Sequence, residues 1–124
     1  MITIIAGSKS DERIVNKVVS ELEGKVEFDV HYASCHRNPQ LVDKIIVESK
    51  NSIFICIAGL AAALPGYVAS RTAKPVIGIP VSGVLNGMDA LLSIVQLPKG
   101  VPVACVGIDN GQNAALLALR ILGK

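Results

Sequence analysis

The sequence is poor in aromatic residues: its 124 residues include two Phe, two Tyr and no Trp. Because 51% of the residues are nonetheless hydrophobic, the core must be built from Val, Ile, Leu and Ala. This composition is typical of a parallel sheet covered by helices on both faces, in which the strands are continuous apolar runs. The length fits one domain with a single core, and we expect residues 1–124 to form it.

The sequence also lacks a strong charge imbalance and any long apolar segment. Its formal net charge is +2, with acidic and basic residues interspersed, so no basic stripe indicates nucleic-acid binding. The longest apolar run, residues 53–64, is interrupted by Gly59 and stopped by Pro65 and Gly66, and it is too short to cross a bilayer. We therefore expect neither a nucleic acid nor a membrane as a partner.

Cysteine is scarce and unclustered. Cys35, Cys56 and Cys105 are odd in number, far apart and form no C-x-x-C motif, which argues against a zinc site and against a disulfide framework. The first residues, MITIIAGSKSD, lack the charged leader and long apolar segment of a signal peptide. Both observations predict a reducing, cytoplasmic location.

Apolar runs alternate with segments of helical periodicity along the chain. Five runs predict strands, at residues 2–6, 25–33, 53–58, 75–79 and 101–108. The segments between and after them predict helices over 11–22, from Pro39 onward, up to about Thr72, over 90–96 and over 113–122. Five successive β-α units predict an α/β fold with an open parallel sheet. Ligands bind such sheets beyond the carboxyl ends of the strands, so the junctions GSKSD, SCHRNP, AGLAAALPG and PVSGVLNG should share one edge.

The junction GSKSD places a glycine and two hydroxyls where the first strand turns into a helix. Free main-chain N–H groups at a helix start, joined by the hydroxyls of Ser8 and Ser10, can bind an anion. Ser10 could instead merely cap the helix, with Asp11 and Glu12 stabilising its positive end. The segment has neither the lysine and spacing of a P-loop nor G-x-G-x-x-G, so both interpretations stay open.

The junction SCHRNP brings together groups suited to phosphate binding and proton transfer. Arg37 can bind a phosphate in a bidentate way, Ser34 can donate to the same group, and the imidazole of His36 is a side chain suited to proton transfer. An isolated pair of this kind is more often a surface histidine beside an arginine that pairs with an acid, but the expected proximity of GSKSD favours a site. Cys35 could be a thiolate nucleophile, yet without an evident third orienting group a small packed side chain is the better interpretation.

Two further segments carry weaker signals. AGLAAALPG offers small residues that let a ligand approach the main chain closely, or it provides only tight packing between strand and helix. In DALLSIVQLPKG, Asp89 could cap its helix, and the run of Leu, Ile and Val could form a subunit interface.

Five segments occur in a recognisable order: GSKSD, ASCHRNP, AGLAAALPGYVASRTAKPVIGIPV, LNGMDALLSIVQLPKGVPVACVGID and NAALLALRIL. With them the chain resembles, over essentially its whole length, the class I aminoimidazole ribonucleotide (AIR) carboxylase family of purine biosynthesis. The resemblance implies a three-layer, doubly wound, flavodoxin-like fold, a homo-octamer with active sites at subunit junctions, and no metal or organic cofactor. Members of that family are N5-carboxyaminoimidazole ribonucleotide mutases, isomerases that move a carboxylate from the exocyclic nitrogen to ring carbon C4 by decarboxylation and recapture of carbon dioxide.

The resemblance also implies roles for individual residues. His36 matches the general acid/base, and Asp11 would accept hydrogen bonds from the ribose hydroxyls of the ribonucleotide. Gly59 and its neighbour Leu60 match the loop that encloses the base and the carbon dioxide. The residues implied to hold the 5′-phosphate are Ser8, Ser10, Ser34 and Arg37.

The chain departs from the family pattern at two places. Ala63 precedes LPG, where the family usually has histidine, and the sequence ends at ILGK, where relatives usually continue into a helix that ties subunits together. These departures keep open a ribonucleotide-binding relative with weak or no catalysis. Direct carboxylation of AIR with free carbon dioxide, a lyase activity, is a second alternative. A carboxylase-like domain for a nickel-pincer nucleotide is a third, favoured by VGIDNG but not by LLSIVQLPKG.

Overall fold

The computed structural model describes the whole chain, Met1–Lys124, and contains one five-stranded sheet with the order β2-β1-β3-β4-β5. The strands are β1 (Ile2–Ala6), β2 (Phe28–Tyr32), β3 (Ile53–Gly59), β4 (Val76–Val81) and β5 (Ala104–Cys105). The helices are α1 (Glu12–Leu22), α2 (Pro39–Glu48), α3 (Leu64–Ala69), α4 (Met88–Val95) and α5 (Gly111–Ile121). All strand pairs are parallel, and the predicted flavodoxin-like α/β fold is confirmed.

Helices cover both faces of the sheet and create two apolar cores, one on each face, instead of the single core expected from the length. α1 and α5 pack on one face, and α2, α3 and α4 pack on the other. Alternate residues of β3 enter the two cores: Ile53, Ile55 and Ile57 the first, and Phe54, Cys56 and Ala58 the second. Because successive side chains of a strand point to opposite faces, a strand covered on both sides has to be apolar throughout. None of the helices is both long and apolar enough to cross a membrane.

Side-chain caps set the starts of two helices. Asn38 Oδ1 accepts a hydrogen bond of 3.2 Å from the main-chain N–H of Leu41, and Pro39 occupies the first turn of α2 as predicted. Asn110 Oδ1 caps α5 in the same way, at 3.0 Å from the N–H of Asn113. Asp89 does not cap α4: it already lies within the first turn, and the cap position belongs to Gly87, whose φ of 85° is in the left-handed region.

The fifth strand is much shorter than the predicted range of residues 101–108. Only Ala104 and Cys105 pair regularly with β4. Pro80 of β4 explains why the strand does not continue to residue 108, because its carbonyl accepts the N–H of Asp109 while its ring nitrogen has no proton to donate to the same neighbour. The strand predicted over 75–79 is β4 in the structure, which begins one residue later, at Val76, and continues to Val81.

The second strand also begins later than the predicted residue 25. The N–H groups of Lys25 and Val26 both donate to the carbonyl of Leu22, so the chain is still completing the turn after α1. β2 then pairs with β1 from Phe28 to Tyr32. Its carboxyl end therefore lies beside that of β1, and the SCHRNP junction follows at the same edge.

Candidate active site

A cleft of about 530 Å³ lies at the carboxyl edge of the sheet, where the connections after β1, β2 and β3 meet. Its volume falls within the range of roughly 300–1,000 Å³ that is typical of small-molecule sites. The strand order explains its position, because the chain winds away from β1 in opposite directions and such a switch point opens a crevice. All the residues that the sequence suggested for a site line this cleft: Ser8, Ser10, Asp11, Ser34, His36, Arg37, Gly59 and Leu60.

The first wall of the cleft is the GSKSD turn. Ser8 is extended and its Oγ accepts hydrogen bonds from the main-chain N–H of Ser10, at 3.3 Å, and from Ser10 Oγ, at 2.9 Å. The interpretation of Ser10 as the helix cap is therefore wrong, because Ser8 is the cap and it begins a short 3-10 turn at Lys9–Asp11. The hydrogen bond from Ser10 Oγ to Ser8 Oγ holds the two hydroxyls together at the cleft.

Asp11 is the acidic residue of the cleft wall. It is only 8% exposed, and burial raises the pKa of its carboxyl above the ordinary value. The nearby Arg13 guanidinium and a main-chain hydrogen bond at Ser8 offset part of this shift, whereas the charge of Asp109 adds to it. A carboxylate in this position can accept hydrogen bonds from a ligand.

The second wall is the SCHRNP turn. Ser34 Oγ accepts the N–H of Arg37 at 3.1 Å, and the Ser34 carbonyl accepts the N–H of Asn38 at 2.7 Å. The Arg37 guanidinium donates to the carbonyl of Gly7 at 3.1 Å and forms no ion pair, so the interpretation in which it pairs with an acid is wrong. His36 is exposed at the cleft and makes no hydrogen bond within the chain, which leaves its ring nitrogens free for a ligand.

Two other reactive side chains near this loop, Cys35 and His31, are less suited than His36 to react with a ligand in the cleft. Burial raises the pKa of the Cys35 thiol, so it is not a ready thiolate at neutral pH, as the sequence interpretation favoured. His31 lies in β2 and pairs with Asp29, with 3.5 Å between Nε2 and Oδ2. The free imidazole at the cleft is therefore that of His36.

The third wall is the loop from Gly59 to Leu64. Leu60 has a φ of 53°, which is uncommon for a bulky residue, and its side chain is 64% exposed. Ala63 is exposed and lines both the cleft and an adjacent groove of about 480 Å³, and His36 lines both as well. Ala63, where the resemblance implies a histidine, thus shares both cavities with the free imidazole of His36.

The fourth junction, PVSGVLNG, reaches the same edge but does not line the cleft. Its Ser82 instead binds Asp109, which follows β5, and Arg13 of α1 lies against both. Sequence reasoning did not identify this group, although Asp109 obeys the same rule as the other residues: a polar side chain directly after a predicted strand. The end of the fifth predicted strand thus carries the same sequence signal as the first four.

Comparisons with known proteins agree with the geometry. A sequence model of the family described as AIR carboxylase matches residues 1–124. The chain is 61% identical over 123 residues to N5-carboxyaminoimidazole ribonucleotide mutase of Methanocaldococcus jannaschii, covering 98% of this chain and 78% of that one. It is 50% identical to a probable N5-carboxyaminoimidazole ribonucleotide mutase of Methanobrevibacter smithii, of which it covers 37%. The crystal structure of Treponema denticola PurE superposes with a TM-score of 0.89 at 31% identity, covering 98% of this chain and 79% of that one.

Proposed function

The chain belongs to the AIR carboxylase family, and from this membership we infer that it is an N5-carboxyaminoimidazole ribonucleotide mutase, an isomerase of purine biosynthesis. The observation that supports this most strongly is the meeting of a free imidazole, a guanidinium without an ion-pair partner and two bonded serine hydroxyls in one cleft. The substrate is a small ribonucleotide, and residues 1–124 act as one AIR carboxylase-like domain. The single-domain proposal is tested by monitoring unfolding with two optical probes, which should report one and the same cooperative transition.

The phosphate of the ribonucleotide binds between the two serine-bearing turns. Ser8, Ser10 and Ser34 donate hydroxyl hydrogen bonds, and the Arg37 guanidinium adds a bidentate, charge-assisted contact. Asp11 accepts hydrogen bonds from the ribose hydroxyls, deeper on the same wall. These contacts fix the base against the loop that contains Gly59 and Leu60.

His36 moves the protons of the reaction. As imidazolium it donates a proton to the exocyclic nitrogen while the bond from that nitrogen to the carboxylate carbon breaks, which releases carbon dioxide. Ring carbon C4 then forms a bond to the carbon dioxide, and the neutral imidazole removes the C4 proton and returns to its first state. The apolar side chains of Leu60, Ala61 and Ala62 close the cleft around the carbon dioxide, which favours recapture over escape.

The decisive experiment follows the carboxylate carbon. The purified chain is mixed with N5-carboxyaminoimidazole ribonucleotide that carries ¹³C in the carboxylate, in buffer that contains unlabelled bicarbonate. We expect C-carboxylated product to form faster than without protein and to retain the label. Loss of the label at normal rates would instead favour direct carboxylation of AIR by free carbon dioxide, a lyase activity, and tight binding without turnover would identify a weakened ribonucleotide-binding relative.

We also propose that the chain forms a homo-octamer. The loop before α4 and the outer side of α4 expose five large apolar side chains: Val84, Leu85, Met88, Leu92 and Val95. Contiguous apolar exposure of this kind marks an interaction surface more often than a free one. Light scattering should give about eight times the chain mass of 13.0 kDa. Leu92→Glu should dissociate the particle, whereas Val47→Glu, at an exposed apolar position of α2, should leave it intact.

The location we propose is the cytoplasm. Cys35, Cys56 and Cys105 are all free thiols, which is usual for a protein of a reducing compartment. Fractionation of source cells with an antibody to the chain tests this, and recovery outside the cytoplasmic fraction would contradict it.

A further inference from the structure

Lys9 connects the turn after β1 to the end of β2 through a cation–π contact. It lies between Ser8 and Ser10 in the GSKSD turn, yet it does not line the cleft. Its ammonium nitrogen lies 4.1 Å from the centroid of the Tyr32 ring, within the distance of about 6 Å at which an aromatic face attracts a cation. Because Tyr32 is the last residue of β2, the side chain of Lys9 reaches from the first wall of the cleft to the strand that leads into the second.

Tyr32 gives Lys9 a fixed partner. It is half-buried and packs against the apolar core beneath α1 and α5. It stands opposite Ala6 in the ladder, and the N–H of Ala33 donates to the Ala6 carbonyl at 2.9 Å. Ser34 of the second wall follows directly. The sheet therefore sets the position of the ring, and a side chain that rests on it is held close to the SCHRNP turn.

Two side-chain contacts thus cross between the segments that follow or end β1 and β2. The Arg37 guanidinium donates to the Gly7 carbonyl at 3.1 Å, from the second turn to the first, and Lys9 reaches in the other direction, from the first turn to Tyr32. Arg37 lines the cleft, so an anionic ligand competes for its donors, whereas Lys9 is not part of the lining. The contact between Lys9 and Tyr32 can therefore stay intact when a ligand binds.

We propose that Lys9 is a positioning residue: held on the Tyr32 ring, it keeps the hydroxyls of Ser8 and Ser10 in place for the phosphate of the ribonucleotide. The role in phosphate binding rests on the proposed function, whereas the contact between Lys9 and the ring does not. Without this anchor the short 3-10 turn that starts at Lys9 has to be ordered by the ligand itself, and such ordering costs affinity.

The first test needs no substrate. A ring beneath an ammonium group shields the adjacent methylene protons, so the Cε protons of Lys9 should resonate upfield of those of Lys25 in a ¹H–¹³C spectrum. Lys25 is an exposed lysine that pairs with Glu21. Tyr32→Leu should remove the upfield shift, and Tyr32→Phe should keep it because the ring remains. Equal resonance positions for the two lysines in the wild type would overturn the proposal.

The second test measures the affinity for the ribonucleotide. Lys9→Met removes the cation and should raise the dissociation constant for AIR in calorimetry about twofold to fivefold, the effect of an exposed cation–π contact. Lys25→Met is the matched control, because it removes the same charge from a lysine that pairs with Glu21 at 3.6 Å and does not line the cleft. Equal dissociation constants for the two variants would overturn the proposal.

Substitutions of the ring distinguish anchoring from a direct contact of Lys9 with the phosphate. An anchoring role predicts that Tyr32→Leu weakens binding as much as Lys9→Met, and that the double variant binds no more weakly than either. Tyr32→Phe and Lys9→Arg keep a cation on a ring and should retain the wild-type affinity. If the ammonium group instead left the ring to bind the phosphate, Tyr32→Leu would bind AIR as well as the wild type or better, and the proposal would be wrong.

The ion pair of Lys9 is tested separately. Glu12 Oε2 lies 3.8 Å from Lys9 Nζ, and both side chains are more than half exposed, so the pair contributes little. Glu12→Gln should therefore leave the affinity for AIR unchanged. A loss equal to that of Lys9→Met would assign the effect to the ion pair instead of the ring.

Turnover kinetics separate positioning from catalysis. Contacts to the phosphate are made equally with the substrate and the transition state, so Lys9→Met should raise KM with kcat nearly unchanged, and a fall in kcat at constant KM would contradict the positioning role. A wild-type chain that neither binds AIR nor turns over substrate contradicts the proposed function, and the role of Lys9 in phosphate binding with it. A functional wild type with an unaltered Lys9→Met variant contradicts only this inference.

Discussion

The guanidinium of Arg37 donates a hydrogen bond of 3.1 Å to the main-chain carbonyl of Gly7. This contact joins the turns that follow β1 and β2, two neighbouring strands whose residues Ala6 and Tyr32 stand opposite each other in the ladder. The bond partner is a neutral carbonyl, so the charge of Arg37 is uncompensated within the chain. The same contact that fixes the geometry of the cleft thus leaves a cation available for an anionic ligand.

Arg37→Ala should weaken ribonucleotide binding strongly. A hydrogen bond to a charged group contributes about 1.5–3 kcal/mol, so we expect the dissociation constant for AIR to rise about tenfold to a hundredfold in calorimetry. Arg120→Ala, at an exposed site in the last turn of α5, removes the same charge elsewhere and should have no effect. Equal affinities of the two variants would contradict the phosphate-binding role.

His36→Asn should abolish turnover and largely spare binding. A positioned acid/base typically contributes a factor of about 10²–10⁴ to the rate, and the amide of asparagine cannot replace it in proton transfer. The rate with N5-carboxyaminoimidazole ribonucleotide and the affinity for AIR are measured in parallel. His31→Asn is the matched control, because His31 lies in β2 and pairs with Asp29 away from the cleft.

The sequence predicted the site well because a single rule covers it. Parallel strands bring their carboxyl ends to one edge, so polar residues directly after the strands have to meet there. The sequence alone therefore groups Ser8, Ser34 and His36 at one site. This rule does not predict the hydrogen-bond partner of each side chain. Ser8 rather than Ser10 caps the turn because of main-chain angles that local sequence patterns do not specify.

The errors in the fold have a similar origin. The run up to Ile108 has strand composition, but regular pairing beyond Cys105 requires a donor on the neighbouring strand, and Pro80 of β4 lacks one. The contacts among Arg13, Ser82 and Asp109 could not be predicted because they join residues separated by up to 96 positions in the sequence through tertiary contact alone. Local patterns thus predict the elements and the shared edge, whereas the identity of long-range partners needs the three-dimensional arrangement.

Asp109 should make the fold sensitive to acid. Its pKa in the folded chain lies below the ordinary value near 3.8, so ionisation stabilises the folded state at all pH values above that of the unfolded chain. The contribution is lost as the pH falls through the lower, folded value. The free energy of unfolding of wild type should therefore exceed that of Asp109→Asn at pH 7, and the difference should shrink at pH 3. A difference that does not change with pH would show that the carboxylate charge is not the cause.

Gly111→Ala should destabilise the contact between α1 and α5. A Cβ at Gly111 would lie 2.9 Å from the carbonyl oxygen of Ile14 and 2.9 Å from Lys17 Cβ, so main-chain atoms of the packed helices would have to move. Overpacking of this kind costs about 1–3 kcal/mol, which exceeds the gain in helix propensity. Urea denaturation should show the loss. Gly107→Ala, where the nearest atom is 3.7 Å away, should show none, and equal stabilities would contradict the tight contact.

Ala63→His should increase turnover. Ala63 is exposed, lines the cleft together with His36, and has helical main-chain angles of φ −75° and ψ −18°, so an imidazole fits there without strain. A second imidazole beside the first can assist the proton transfers between nitrogen and C4, and we expect kcat to rise by about tenfold or more. Ala73→His, at an exposed position between α3 and β4, adds the same group away from the cleft and should leave kcat unchanged. If kcat of Ala63→His equals that of wild type, the single imidazole of His36 suffices for both proton transfers, and the departure from the family pattern at this position has no catalytic consequence.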